Sequence, residues 1–127
     1  MNLKSEGQIT FFYYNDLQRA ENFYSAIMGF EKVIDVSYAK VFRISEGAHI
    51  GIVNSKDGYI KPSKEKPVML TVIVENIEAW LHYLTEKGIK LKEEPVSRRN
   101  PDMTIMIISD PEDYVIEILQ FNKKPYG

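Results

Sequence analysis

The chain has 127 residues, 44% apolar, 27% charged and 12% aromatic, a globular composition that excludes wholesale disorder and predicts one domain over residues 1–127. Its 16 Lys and Arg against 18 Asp and Glu give a net charge of −2, which weighs against nucleic acid and anionic membrane as partners. The absence of cysteine excludes disulfide scaffolds, zinc–thiolate sites and cysteine nucleophiles. No apolar signal segment or run of ~18 apolar residues occurs, so a soluble cytoplasmic protein is expected.

Residues 8–14, Gln-Ile-Thr-Phe-Phe-Tyr-Tyr, are rich in aromatic and β-branched side chains and predict a strand. Asn15-Asp16 offers a helix N-cap. Leu17, Ala20, Phe23, Tyr24, Ile27 and Met28 then recur at helical spacing, and Gly29 is the stop. Strands are predicted at about 31–36, 38–45 and 48–54, with Ser45-Glu46-Gly47 as a turn. The polar stretch from Asn54 to Lys66 reads as a solvated connector. The pattern then restarts. Residues 68–74 predict a strand, Glu75-Asn76 a cap, Ile77, Trp80, Leu81 and Leu84 an apolar helix face, and Gly88 its end. Strands follow at about 90–96, 103–109 and 114–120, the first placed at an edge or bulge by Pro95. Asp110-Pro111-Glu112-Asp113 is a turn cluster.

The order repeats. Phe12 maps onto Val72, Gly29 onto Gly88, and Ile50 and Ile52 onto Ile116 and Ile118. Two βαβββ modules, about 8–54 and 67–121, predict an α+β protein in which each curved mixed sheet packs one face under its helix and turns the other toward a concave cavity. A ferredoxin-like domain is the rival, and the third strand after each helix argues against it. Two curved faces that need covering predict a homodimer. Pairing of modules within a chain and exchange between chains both remain open.

Two stretches carry a resemblance. Ile9-Thr10-Phe11-Phe12-Tyr13-Tyr14-Asn15-Asp16-Leu17, followed by Asn22-Phe23-Tyr24 and Gly29-Phe30, resembles the opening strand and helix of the vicinal oxygen chelate superfamily. That group includes glyoxalase I, extradiol dioxygenases and bleomycin-resistance proteins. Asp110-Pro111-Glu112-Asp113-Tyr114-Val115-Ile116-Glu117-Ile118 resembles its closing Asp-Pro-(Asp/Glu)-Gly-x-x-Ile-Glu-Leu strand, with Asp113 in place of the glycine. The resemblance spans about residues 8–121. It implies a metal site with a His or Gln seven residues before each helix-start position and a Glu or His in the last strand of each half. Those four positions hold Ile9, Met69, Gly51 and Glu117. A divalent ion such as Zn²⁺, Ni²⁺ or Fe²⁺ wants three or more N/O ligands, so a divalent metal is disfavoured though still open, and no other cofactor is expected.

Strand alternation places Phe11 and Tyr13 with Ile9 on the concave face, and Met69 and Thr71 with Ile73 on its counterpart. Aromatic rings with hydroxyl tips suit a planar or amphipathic ligand, and they equally suit plain packing. Tyr38 is a further candidate from a neighbouring strand. His49 shares the face of Gly51 and is either a rim residue or a polar ligand contact. Glu117 is either a structural carboxylate taking hydrogen bonds from the next strand, or a ligand anchor or general base. His82 reads as solvent-facing. Arg98-Arg99 reads as solvated loop charge or an anion clamp. No phosphate-binding glycine loop, Gly-x-Ser-x-Gly elbow or His-Glu-x-x-His helix occurs. Three classes therefore remain: a metal-free binder of a small organic molecule, which the residues favour; a metal-dependent lyase or dioxygenase; and a protein-interaction module.

Overall fold

The computed structural model describes residues 3–96 and 102–125. The chain forms two compact units that meet in sequence at Glu65 and Lys66. Each is a βαβββ module, and together they give an α+β fold with two open four-stranded mixed sheets.

In the first unit β1 (Gln8–Tyr14) leads to α1 (Leu17–Asn22) and then to β2 (Glu31–Val36), β3 (Ala39–Ser45) and β4 (Ala48–Asn54). The sheet order is β1-β4-β3-β2, with β1 and β4 parallel. Alternation along β1 sends Phe12 and Tyr14 beneath the helix, at 1% and 0% exposure. Ile50 and Ile52 of β4 join them there, fully buried. Burying each such side chain contributes roughly 1.5–3 kcal/mol. Asp16 caps α1 by accepting from the Arg19 N–H at 3.1 Å.

The helix departs from the predicted regular course. After Asn22 it widens into a π-helical turn, Phe23–Ile27, closed by the Met28 N–H on the Phe23 carbonyl five residues back at 2.9 Å. The wider turn seats two consecutive aromatics, Phe23 and Tyr24, against the sheet. The Tyr14 hydroxyl donates to that of Tyr24 at 3.2 Å. Gly29, at φ +74°, then stops the helix as expected.

A second departure lies in β2. Lys32 faces Phe42 and Ile34 faces Val41, so Val33 is an extra residue, a β-bulge. In a regular strand, residues 32 and 35 would point to opposite faces. The bulge brings them together, and Lys32 reaches Asp35 at 2.9 Å and Glu21 at 2.6 Å. Lys40 also binds Asp35, and Arg43 pairs with Glu31.

In the second unit β5 (Met69–Ile73) leads to α2 (Ile77–Glu86) and then to β6 (Glu93–Val96), β7 (Met103–Ser109) and β8 (Val115–Phe121), in the order β5-β8-β7-β6. Val72, Met106, Ile108, Ile116 and Ile118 form its buried layer with Ile77 and Leu84 of α2. Asn76 caps α2 through the Ala79 N–H, and Gln120 of β8 accepts from the Ile77 N–H at 2.9 Å. As Pro95 predicted, β6 is an edge strand, with a register shift between Glu93 and Val96. The turn before β8 is built on Asp110, 4% exposed, whose Oδ1 accepts from the N–H groups of Glu112 and Tyr114, both at 3.0 Å. Asp113 sits at φ +68°, which explains why the resembling pattern has glycine there.

Among the described residues, no helix is long and apolar enough to cross a membrane.

Two outcomes follow for the Asp110 turn, read as unfolding midpoints in urea. Asp113→Gly should stabilise the protein by about 0.5–1 kcal/mol by relieving the left-handed conformation. Asp110→Ala should cost about 1–3 kcal/mol, because two backbone donors lose their acceptor.

The Asp35 carboxyl is held below the ordinary carboxylate range, first by its hydrogen bond from Lys40 and then by that from Lys32. Its folded-state pKa is depressed, so its contribution is present above the unfolded value and is lost only as pH falls through the lowered one. An NMR titration should show Asp35 titrating below the ordinary aspartate range, and Lys40→Met should move it back toward that range.

Candidate functional site

Residues directly opposite in a ladder share a face, so the registers define what each sheet presents away from its helix. In the first unit one row runs Ile9, His49, Arg43, Glu31, the next Phe11, Gly51, Val41, Ile34, and the third Tyr13, Val53, Ala39, Val36. In the interior of this face Val41, Ala39 and Val53 are at 3–8% exposure, while Ile9, Phe11 and Ile34 remain exposed at 41–46%.

The Phe11 ring lies against Gly51. A Cβ on Gly51 would stand 2.4 Å from both Cδ1 and Cε1 of the Phe11 ring and 3.2 Å from Ile9 Cγ2, far inside van der Waals contact. The glycine is therefore the seat of the ring. Tyr13 is half-buried, and a Cβ on Gly58 would lie 2.7 Å from its Cδ1. The connector backbone thus rests on the Tyr13 ring, so this part of the connector is more than a solvated spacer. Tyr59 and Ile60 beside it are exposed. Tyr38 lies in the turn one residue before β3. Its carbonyl accepts from the Asn54 N–H at 2.9 Å, and its side chain is half exposed.

His49 is half-buried, with Nδ1 3.2 Å from the Gln8 carbonyl oxygen. It borders an open groove of about 520 Å³ whose floor is Ile9, Val33, Ile34 and Val41 and whose rim includes Glu6. A second, polar groove of about 460 Å³ lies beside the α1 N-cap and Lys40.

In the second unit the corresponding rows are Met69, Val115, Ser109, then Thr71, Glu117, Ile107, Glu93, then Ile73, Leu119, Ile105, Val96. Thr71 donates to Glu117 Oε1 at 2.9 Å. Glu117 is half-buried on the face opposite Ile116 and Ile118, as alternation requires. Met69 and Ile73 are about half exposed. The Ser109 Oγ is buried with no hydrogen-bond partner. His82 is exposed on α2 and pairs with Glu86 at 3.1 Å. Arg98 and Arg99 lie outside the described residues.

The metal that the resemblance implies does not fit these residues. In the first unit the two expected positions are Ile9 and the glycine under Phe11, and any ligating side chain at residue 51 would have to pass through the ring. In the second they are Met69 and Glu117, a thioether and a single carboxylate. Among the described residues no three His, Cys, Asp or Glu cluster.

The profile of the Glyoxalase/Bleomycin resistance protein/Dioxygenase superfamily matches residues 7–118, and the chain belongs to that superfamily. No curated protein matches it by sequence. Solved structures share its fold. A lactoylglutathione lyase from Agrobacterium tumefaciens is 16% identical at a TM-score of 0.76, covering 98% of this chain and all of that one. A glyoxalase/bleomycin resistance protein/dioxygenase from Nocardioides is 15% identical at 0.75, covering 100% and 91%. A virulence protein from Salmonella typhimurium is 21% identical at 0.73, covering 95% and 99%.

Sequence reasoning did not find the Val33 bulge that adds Ile34 to the open face, or the Gly58 contact on Tyr13. Gly58 was a visible signal of close backbone approach, whereas nothing in Lys32-Val33-Ile34-Asp35 marks a bulge.

The Phe11–Gly51 seat makes a prediction. Gly51→Ala should cost about 1–2 kcal/mol by overpacking, and much less in a Phe11→Ala background, because the colliding ring is gone. A denaturation double-mutant cycle measures the coupling; equal costs in both backgrounds would show that the ring does not sit on residue 51 in solution.

Proposed function

We propose that the chain is a small-molecule binding protein of its superfamily that works without the usual metal. The observation that carries this reading is the Phe11 ring on Gly51, which puts an aromatic surface where a metal ligand would stand. An apolar surface with a few polar groups is the usual design of an organic ligand site. The ligand is a planar or amphipathic organic molecule. Each unit presents its own surface for such a molecule: in the first, Phe11 and Tyr13 are apolar walls; in the second, taken by itself, Met69 and Thr71 lie beside the acceptor Glu117. Glu117 when ionised only accepts hydrogen bonds, which favours a cationic or donor-bearing ligand. The metal-dependent lyase or dioxygenase reading would need donors that Ile9, Gly51 and Met69 lack.

A thermal-shift screen of amphipathic aromatic compounds tests the reading. Phe11→Ala should weaken a hit on the first unit by roughly 1–3 kcal/mol through lost apolar contact, and Glu117→Gln should weaken a cationic hit on the second unit more than a neutral one. Melting should be indifferent to chelator and to added Zn²⁺, Ni²⁺ or Mn²⁺. About one metal per purified chain, lost in Glu117→Ala, would return the assignment to the metal-dependent enzymes. We further infer a homodimer, on the strength of the exposed Ile9, Phe11, Met69 and Ile73; light scattering showing only a 14.7 kDa species would overturn it.

A further inference from the structure

The groove beside His49 has a composition that selects a ligand class. Its floor is hydrocarbon from Ile9, Val33, Ile34 and Val41, and its volume of about 520 Å³ is in the range of small-molecule sites. Its polar lining is limited. The Gln8 side chain is engaged at both ends, with one N–H to spare: Oε1 accepts from the His49 N–H at 3.3 Å and Nε2 donates to Thr10 Oγ1 at 2.7 Å. Arg43, the neighbour of His49 in the same row, is held by Glu31 on the next strand. Among the lining side chains, the acceptors are then the imidazole and the Glu6 carboxylate.

The imidazole is set by its partner. A carbonyl oxygen only accepts, so the 3.2 Å contact between His49 Nδ1 and the Gln8 carbonyl places the ring hydrogen on Nδ1. In the neutral ring Nε2 then carries the lone pair. The groove therefore offers two side-chain acceptors, Nε2 and a carboxylate, over an apolar floor. An anionic head group would meet Glu6, and a purely apolar molecule would leave Nε2 without a donor.

We propose that this groove binds a neutral hydroxyl compound with an apolar body, of the phenol class, whose O–H donates to His49 Nε2 while its hydrocarbon lies on Ile9, Ile34 and Val41. His49 is thereby the specificity-determining residue of the first unit. The inference rests on the small-molecule reading above and adds to it the class of ligand and the group that reads it. No covalent step is involved. The hydroxyl proton stays on oxygen and is shared with Nε2.

Three matched probes test it: 4-propylphenol, its methyl ether 4-propylanisole, and 4-propylbenzoate. Binding to the full chain is followed by NMR titration at a pH where His49 is neutral by its own ¹⁵N signals. The phenol should bind at least tenfold tighter than the ether and the benzoate, shift the His49 Nε2 resonance, and perturb the Ile9, Ile34 and Val41 methyls. In His49→Leu the phenol should fall to the level of the ether, while the ether itself binds as before. Phenol and ether binding the wild type equally would overturn the role of His49 and leave the general small-molecule reading standing. So would a preference for the phenol that survives in His49→Leu. A groove whose methyls respond to none of the three probes overturns this inference, whereas the wider reading falls only if the broader aromatic screen also finds no ligand.

Discussion

The parallel register of β1 on β4 is the constraint on which the first unit depends. It sets Phe12 and Tyr14 against Ile52 and Asn54 and so fixes which side chains go beneath the helix. Everything on the other face follows from the same pairing. Phe11 is opposite Gly51 and Ile9 is opposite His49, so the ring finds the one residue of β4 without a side chain. A slip of one residue would turn Ile50 and Ile52 outward and place Phe11 against a β-branched neighbour. Burial of the aromatic layer and seating of the Phe11 ring are thus two results of one register.

Comparison of the units shows how the same frame carries different chemistry. Row for row, Phe11 and Gly51 correspond to Thr71 and Glu117, and His49 to Val115. The second unit fills the middle of its open face with a hydroxyl donating to a carboxylate. The first fills it with a ring over a glycine, and moves its polar group one row away, to His49. Both helices have the same capping device, Asp16 in one and Asn76 in the other. The scaffold is repeated, and the differences are confined to the faces turned away from the helices.

Much of this was legible from residue order because the relevant signals are local. Alternation fixed the face of Phe11, Tyr13, His49, Thr71 and Glu117, and cap residues and Gly29 and Gly88 bounded the helices. What was not legible depends on non-local packing. Helical spacing already put Phe23 and Tyr24 on the apolar face, but it does not mark the π-helical turn over Phe23–Ile27 that carries them. The position of Tyr13 under Gly58 requires knowing where the connector returns. The tautomer of His49 depends on the Gln8 carbonyl, forty-one residues away in sequence. The fold was therefore written in spacing, and the chemistry of the first unit in contacts that spacing does not reach.

The Val33 bulge has a further consequence at the margin of the sheet. β2 is an edge strand, and Ile34 and Val36 are exposed along it. An even, apolar margin with free backbone groups is a template on which another extended chain can add itself. The bulge breaks that evenness, because a straight incoming strand cannot keep step past the extra residue. Lys32 and Asp35, drawn to one side by the same irregularity, set charges along the margin. A single inserted residue thus works against fibre-like growth, and a deletion at Val33 would remove that protection while leaving the composition of the strand almost unchanged.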